Sequence, residues 1–361
     1  MSGDAPQYWI GEAAPQPGAA LQVAPGVHWL RMPMPLALDH INLWLLADGD
    51  GWTAIDSGLP TDATRAAWEQ VFVDTLQGRP LRRVLCTHMH PDHVGLAHWL
   101  CARFGAELWM TQGEYLSARI MSAGLEPTDP ESALAHYRGH GAPDAELAQL
   151  SGRGNFYRRM VPQMPVRYRR IVHDEVIRIG DFDWRVIEGA GHSPEHAALW
   201  CAQHDLLLSG DMLLPRISTN VSVYPIEPQA DALGRYLRAL TRFEALAANT
   251  RVLPSHGLPF IGVHGRVRQL RVHHAERLAA VVQACSAQPR SAYELLGVLF
   301  QRTLDAHQLG FALGEAIAHV HRLHAVGLLA RDDDMVGVRR WHAGRVAPGA
   351  IRLAAGLDAE V

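Results

Sequence analysis

THMHPDHVG, residues 87–95, places three histidines and an aspartate within six positions around a single proline. His88, His90 and Asp92 alternate, so they cannot share one face of a helix; they can converge from a strand end and the loop beyond it. LRRVLCTHMH (81–90) supplies that setting, a short apolar strand running straight into the cluster. Neutral imidazole and carboxylate are the ligands that zinc and iron take in catalytic sites. The four cysteines, Cys86, Cys101, Cys201 and Cys285, form no CxxC pair, so neither a redox motif nor a structural zinc knuckle is expected.

A metal site needs ligands from elsewhere, and three stretches offer them. EGAGHSPEH (188–196) sets His192 on a glycine-rich turn after a strand. LLLSGDM (206–212) ends an apolar strand on Asp211, and VLPSHG (252–257) puts His256 after another. Each candidate sits at a strand end beside a small or turn-forming residue, where loops can aim side chains into one site.

Working outward, HINLWLLADGDGWTAIDSG (40–58) reads as two apolar strands joined by the turn DGDG. A helix is expected from about Asp62 to Leu76. Strand-like runs return at 175–189 and 197–211. Strands alternating with helices predict an α/β layered fold. Residues 114–170 break the rhythm and read as a polar, helical or irregular insertion whose arginine-rich end, 153–170, is a solvated charged stretch. From residue 265 the texture turns helical. VRQLRVHHAERLAAVVQAC carries Val267, Leu270, His274, Leu278, Val281 and Cys285 on one stripe, with His274 read as core. Short helices and a β-like tail then suggest a winged-helix-type module, with His319, His321 and His324 on a helix surface or in interdomain packing.

With 361 residues the chain can bury a sizeable core, and we divide it into a catalytic domain, 1–264, and a C-terminal domain, 265–361. Its net charge of −4 gives no global pull toward nucleic acid or anionic membrane. All 33 basic side chains are arginine, which excludes Schiff-base lysine chemistry. No apolar run approaches the roughly 18 residues that span a bilayer. The N-terminus lacks the pattern of a signal peptide, so a cytoplasmic protein is expected.

The ordered set THMHPDHVG, GHSPEH, SGD and PSHG, with IDSG at 55–58, resembles the metallo-β-lactamase superfamily over about residues 25–264. The later segment resembles the winged-helix domain appended to some members, including the β-lactamase-like protein 2 type. The resemblance implies an αββα sandwich with two divalent metal ions at one edge, zinc first and manganese or iron as alternatives. It implies that His88, His90 and His192 hold one ion, that Asp92, His93 and His256 hold the second, and that Asp211 bridges them. Asp92 and Asp211 are then the residues on which turnover depends. Asp56 would orient a ligand from behind. Such a pair of ions, about 3.5–4 Å apart, activates a shared hydroxide and polarises the substrate oxygen.

The expected activity is hydrolysis of a small-molecule or cofactor-linked ester, a thioester or lactone before others. GHSPEH resembles the corresponding turn of the glyoxalase II type, but the lysine of that family's glutathione contacts cannot exist here. The alternative is a phosphodiesterase or ribonuclease, which the basic insertion favours and the net negative charge disfavours. A metal-binding regulator or a non-hydrolytic iron enzyme is a third reading. His40, Arg216, Asn220 and Tyr224 are candidates for substrate contact, the last three from PRISTNVSVYP (215–225). His196 is expected to brace its loop and not to be a ligand. The C-terminal module, poor in fixed positive charge, suits a lid, a substrate wall or a homodimer contact better than DNA.

Overall fold

The computed structural model describes residues 6–11, 14–125, 130–151, 156–301, 304 and 306–358. Seven strands form a first sheet in chain order: β1 (Ala20–Ala24), β2 (Val27–Pro33), β3 (His40–Asp48), β4 (Gly51–Ile55), β5 (Leu81–Leu85), β6 (Glu107–Met110) and β7 (Arg169–Arg170). Neighbours from β1 to β4 are antiparallel, and those from β4 to β7 are parallel. A second sheet holds β8 (Val176–Ile179), β9 (Phe182–Gly189), β10 (His196–Cys201), β11 (Leu206–Gly210), β12 (Arg251–Pro254) and β13 (Phe260–Ile261). Only its β11–β12 pair is parallel. The runs at 175–189 and 197–211 are therefore each a hairpin of two strands.

Period-two alternation sorts the side chains into layers. Along β3, Trp44 and Leu46 face the second sheet, where they meet Trp184, Val186, Leu199 and Leu208, while Ile41, Leu43 and Leu45 face outward. On that outer side lie α1 (Asp62–Val71), a π-helical turn Phe72–Leu76 and, after the short α2 (Pro91–Val94), α3 (Ala97–Phe104), contributing Trp68, Val71 and Leu100. Outside the second sheet, Ile187, Ala198, Leu207 and Val252 form the base of another cluster. The order helix, sheet, sheet, helix follows.

The stretch read as an insertion contains α4 (Gln112–Ser122), α5 (Pro130–Gly139), α6 (Asp144–Ser151) and α7 (Phe156–Met160). It is less solvated than its polarity suggested, since Tyr115, Leu147, Tyr157, Val161 and Met164 are buried. Arg153 lies outside the described residues. Arg169 pairs with Glu175 at 2.6 Å and lies over the Trp109 ring.

Helix α8 (Ala232–Glu244) starts where Asp231 accepts from the Gly234 N–H at 2.8 Å. Its apolar stripe, Leu233, Tyr236, Leu237 and Leu240, is buried against the second sheet. The 25-residue α9 (Val263–Ala287), α10 (Leu296–Leu299) and α11 (Ala306–Ala325) pack into the same apolar cluster, and a hairpin of β14 (Ala330–Asp333) and β15 (Arg339–His342) leads to α12 (Ala350–Ala354). His274 is core, as its stripe predicted. His319 and His321, offered as surface or packing residues, are buried, because α11 is covered on two sides: His319 lies against His274 of α9 and His321 against Ala230 O; His324 is exposed. No described helix is long and apolar enough to cross a membrane.

Leu199 is fully buried between the sheets. Leu199→Ala should lower unfolding free energy by about 2–5 kcal/mol, read from urea denaturation. A loss below about 1 kcal/mol would show that the two sheets do not pack tightly there.

Candidate metal centre

Five strand ends converge on one edge of the sandwich. Asp56 follows β4, His88 follows β5, His192 follows β9, Asp211 follows β11 and His256 follows β12. Parallel pairing of β4 with β5 and of β11 with β12 brings their carboxyl ends to the same side. The sheets are stitched at this edge: Asn42 N–H donates to Ser255 O at 2.7 Å and Ala197 N–H to Thr87 O at 2.8 Å. Within THMHPDHVG, His90 is extended and Pro91 opens α2, a position where a missing N–H costs nothing. The chain therefore presents His88 and His90 from the irregular segment, then turns so that Asp92 and His93 project from the first helical turn.

Two clusters result. His88, His90, His192 and Asp211 each offer a ligand atom, all within 4.8 Å of one another; Asp92, His93 and His256 do the same. Asp211 lies between them, with Oδ2 3.3 Å from His192 Nε2 and Oδ1 3.4 Å from His256 Nε2 and 3.6 Å from His93 Nε2.

Hydrogen bonds behind the rings set which nitrogen faces inward. His192 Nδ1 lies 2.7 Å from Asn220 O and His256 Nδ1 lies 2.9 Å from His40 O. A carbonyl only accepts, so both rings donate from Nδ1 and turn Nε2 to the cluster. Asp56, in the left-handed region at φ 62°, accepts from Thr87 N–H, Thr87 Oγ1 and His93 Nδ1. With its proton given to Asp56, Thr87 Oγ1 accepts from His88 Nδ1 at 3.0 Å. His88 Nε2 then faces His90 Nδ1 at 2.9 Å and His192 Nε2 at 3.2 Å. The inward lone pairs of His88 and His192 cannot satisfy each other; a cation would satisfy both. His93 Nε2 and Asp211 Oδ1 are buried without a hydrogen-bond partner among the described residues. The donor set therefore fits divalent metal ions.

Electrostatics point the same way. Burial holds His88 well below the usual imidazole range and, with His192 alongside, takes His90 to about 3. Burial would also depress His256, but Asp211 and Asp92 override it and lift it to about 10. His93 is likewise raised well above its usual value against burial, by Asp56, Asp92 and Asp211. Burial would raise Asp92, yet His93 and His256 hold it at about 2. Asp211 is held well below the carboxylate range, with His256 and His93 outweighing burial.

The remaining candidates surround the centre in other roles. The His40 ring bonds Asp39 at 2.6 Å and accepts from Gly257 N–H at 2.9 Å, so both its nitrogens are engaged. His196 braces Asp211, accepting its N–H at Nε2, 3.1 Å away. A Cβ at Gly210 would fall 2.2 Å from that nitrogen, and φ there is 52°, so glycine before Asp211 is required twice over. Asn220 contributes its carbonyl to His192. Arg216 is exposed and bonds Tyr8 OH at 3.3 Å. Tyr224 is half-buried, its hydroxyl pushed up by burial.

Sequence reasoning missed Glu114. Its buried carboxylate accepts Met89 N–H at one oxygen, 2.8 Å, and Glu195 N–H at the other, 2.7 Å. It thus clamps the His88–His90 segment to the His192 turn. Glu195 returns the contact, accepting Gly113 N–H at 2.8 Å. Lying at the start of what read as an insertion, Glu114 carries no motif; only the contacts reveal it. Thr87, quoted but given no role, is the hinge between Asp56 and His88.

Two outcomes follow from this geometry. His93 and His256 are both pushed toward the protonated form in the metal-free chain and must be neutral to serve as ligands, so zinc loading should release at least one proton per chain from this pair, with a further one from any water that ionises on the ions. Indicator-dye titration in weak buffer measures this, and loading without proton release would contradict the charge pattern. The sign for stability is equally fixed. The His256 contribution in metal-free protein is complete below about pH 6.5 and is lost as pH rises toward 10. Glu114→Gln leaves one backbone N–H facing an amide that cannot accept it, and should cost about 1–3 kcal/mol in denaturant unfolding.

Sequence comparison completes the picture. The profile of the metallo-beta-lactamase superfamily matches residues 36–256, and that of the metallo-beta-lactamase-like C-terminal domain matches 278–344. The crystal structure of a beta-lactamase domain protein from Burkholderia ambifaria is 46% identical, covering 94% of this chain and 98% of its own, with a TM-score of 0.88. The probable metallo-hydrolase YqjP of Bacillus subtilis is 23% identical over 325 residues, 82% of this chain and 91% of that protein. The acyl-coenzyme A thioesterase MBLAC2 of Gallus gallus is 26% identical over 196 residues, 52% of this chain and 63% of that one. With the strand ends that carry the His/Asp clusters inside the matched region, the chain belongs to the metallo-beta-lactamase superfamily.

Proposed function

We propose that the protein is a dinuclear metal-dependent hydrolase of an ester-like acyl bond, a thioester or lactone. The observation that carries this is the pair of His/Asp clusters meeting at Asp211, whose two carboxylate oxygens face opposite groups. His88, His90 and His192 hold one ion, Asp92, His93 and His256 hold the other, and Asp211 serves both. Nitrogen and oxygen donors without thiolate suit zinc, and also admit manganese or iron. When bound, such ions supply a hydroxide nucleophile at neutral pH and Lewis acidity toward an acyl oxygen.

The chain's own groups prepare for that chemistry. Burial keeps His88 and His90 neutral, so their lone pairs stay available down to acid pH. Asp56 and the carbonyls of His40 and Asn220 fix the ring tautomers. Superfamily membership and the relative named a probable metallo-hydrolase support a hydrolase, and the relative named an acyl-coenzyme A thioesterase supports acyl chemistry. We place the division between catalytic and C-terminal domains at 264/265 and the protein in the cytoplasm.

The test is a hydrolysis panel on zinc- or manganese-loaded protein, holding acyl-CoA and acyl-glutathione thioesters, a lactone and single-stranded RNA. Thioester or lactone turnover is expected, with loss of more than about 100-fold in kcat/KM on Asp211→Ala. RNA cleavage alone would overturn the acyl assignment, and unchanged activity in Asp211→Ala would overturn the shared-carboxylate centre.

A further inference from the structure

Segment 219–223, which hands its carbonyl to His192, is held from the far side by the C-terminal helix α11. Val223 N–H donates to Gly314 O at 3.1 Å, and Ser222 Oγ lies 3.3 Å from Phe311 O. The Asn220 amide is gripped at both ends: Oδ1 accepts from Ser222 Oγ at 2.8 Å, and Nδ2 donates to Glu315 Oε2 at 3.4 Å. Glu315 is 8% exposed, and its other oxygen lies 4.0 Å from Arg277 Nη1 of α9. Contact is close enough that a Cβ at Gly314 would lie 2.8 Å from Ser222 Cβ. Asn220 O is in turn 2.7 Å from His192 Nδ1, and His192 Nε2 faces His88 and Asp211.

We propose that Glu315 is a positioning residue for the metal centre, acting from the C-terminal segment through Asn220 to fix the tautomer and aim of His192. A buried carboxylate is costly to maintain, and its contacts here run to the Asn220 amide and to Arg277. An imidazole donating from Nδ1 to a fixed acceptor is locked with its Nε2 lone pair inward, and loss of such a support costs about 10- to 100-fold in metal affinity. The C-terminal segment on this view does more than cover the second sheet: one metal ligand is in register only while α11 is docked. The proposal rests on the reading of His192 as a metal ligand.

The experiment is competitive cobalt titration of the full chain against a chromophoric chelator, with the visible spectrum of the cobalt-loaded protein recorded alongside. Glu315→Leu and Asn220→Ala should each weaken one of the two cobalt equivalents by about 10- to 100-fold and alter the visible bands. Glu315→Gln keeps an oxygen to accept the Asn220 amide and should stay within about threefold of the parent. The double variant should lose no more than the worse single one, because both act along one path. Parent-like affinity and spectrum in Glu315→Leu overturns the proposal. If that variant does not fold, the same result in Asn220→Ala overturns it, as does a Glu315→Gln protein as weak as Asn220→Ala. Failure of the parent chain to bind cobalt overturns the metal-centre reading itself, and the two failures are thereby distinguished.

Discussion

Two carboxylates, Asp92 and Asp211, are drawn out of water into a wall of imidazoles, in a chain that contains no lysine. Stripping water from a carboxylate is expensive unless positive charge replaces it. The replacement here comes from His93 and His256, which hold protons against the pressure of burial. Everything else at this edge serves that balance. His88 and His90 stay uncharged because burial outweighs any attraction to the acids, and Asp56 faces the opposite nitrogen of His93. Charge thus divides the edge before any ion is considered: burial favours the uncharged form at His88 and His90, and the acids favour the protonated form at His93 and His256.

Such a division can be kept only if the side chains cannot drift, and the layers provide that. Both sheets point the carboxyl ends of a parallel strand pair at the same edge, and Asn42 joins them by donating its side-chain amide to Pro254 O and Gly257 O at 2.9 and 2.8 Å. Trp68 on α1 reaches under the Asp-Ser-Gly turn to donate to Ser57 O at 2.9 Å, while Ser57 Oγ donates to His93 O at 2.7 Å. Apolar layers on both outer faces supply the rigidity; loops supply only the last few ångströms of aim.

The parts readable from sequence were those with a short-range signature. The apolar run of β3, the DGDG turn and the dense motif at 87–95 involve neighbours, so their pattern is written in consecutive residues. Glu114 and Glu195 were not readable: they meet across 81 positions, and nothing in either neighbourhood announces the other. His319 and His321 sit on a helix whose covering partners come from elsewhere in the chain, which is why the residue pattern left them between surface and packing, and packing is what the fold shows. Asn220 was singled out for its side chain, whereas the contact with His192 is made by its backbone, a group every residue possesses. Backbone acceptors are invisible to any reading of residue types.

The reciprocal grip of Glu114 and Glu195 has a mechanical consequence. Met89 and Glu195 are tied to the two oxygens of one carboxylate, and the Glu195 side chain is tied back to the helix that bears Glu114. The two histidine-bearing loops therefore travel as one body, and opening either means breaking several bonds together. Separating the loops is thus a local unfolding event and not an ordinary loop fluctuation.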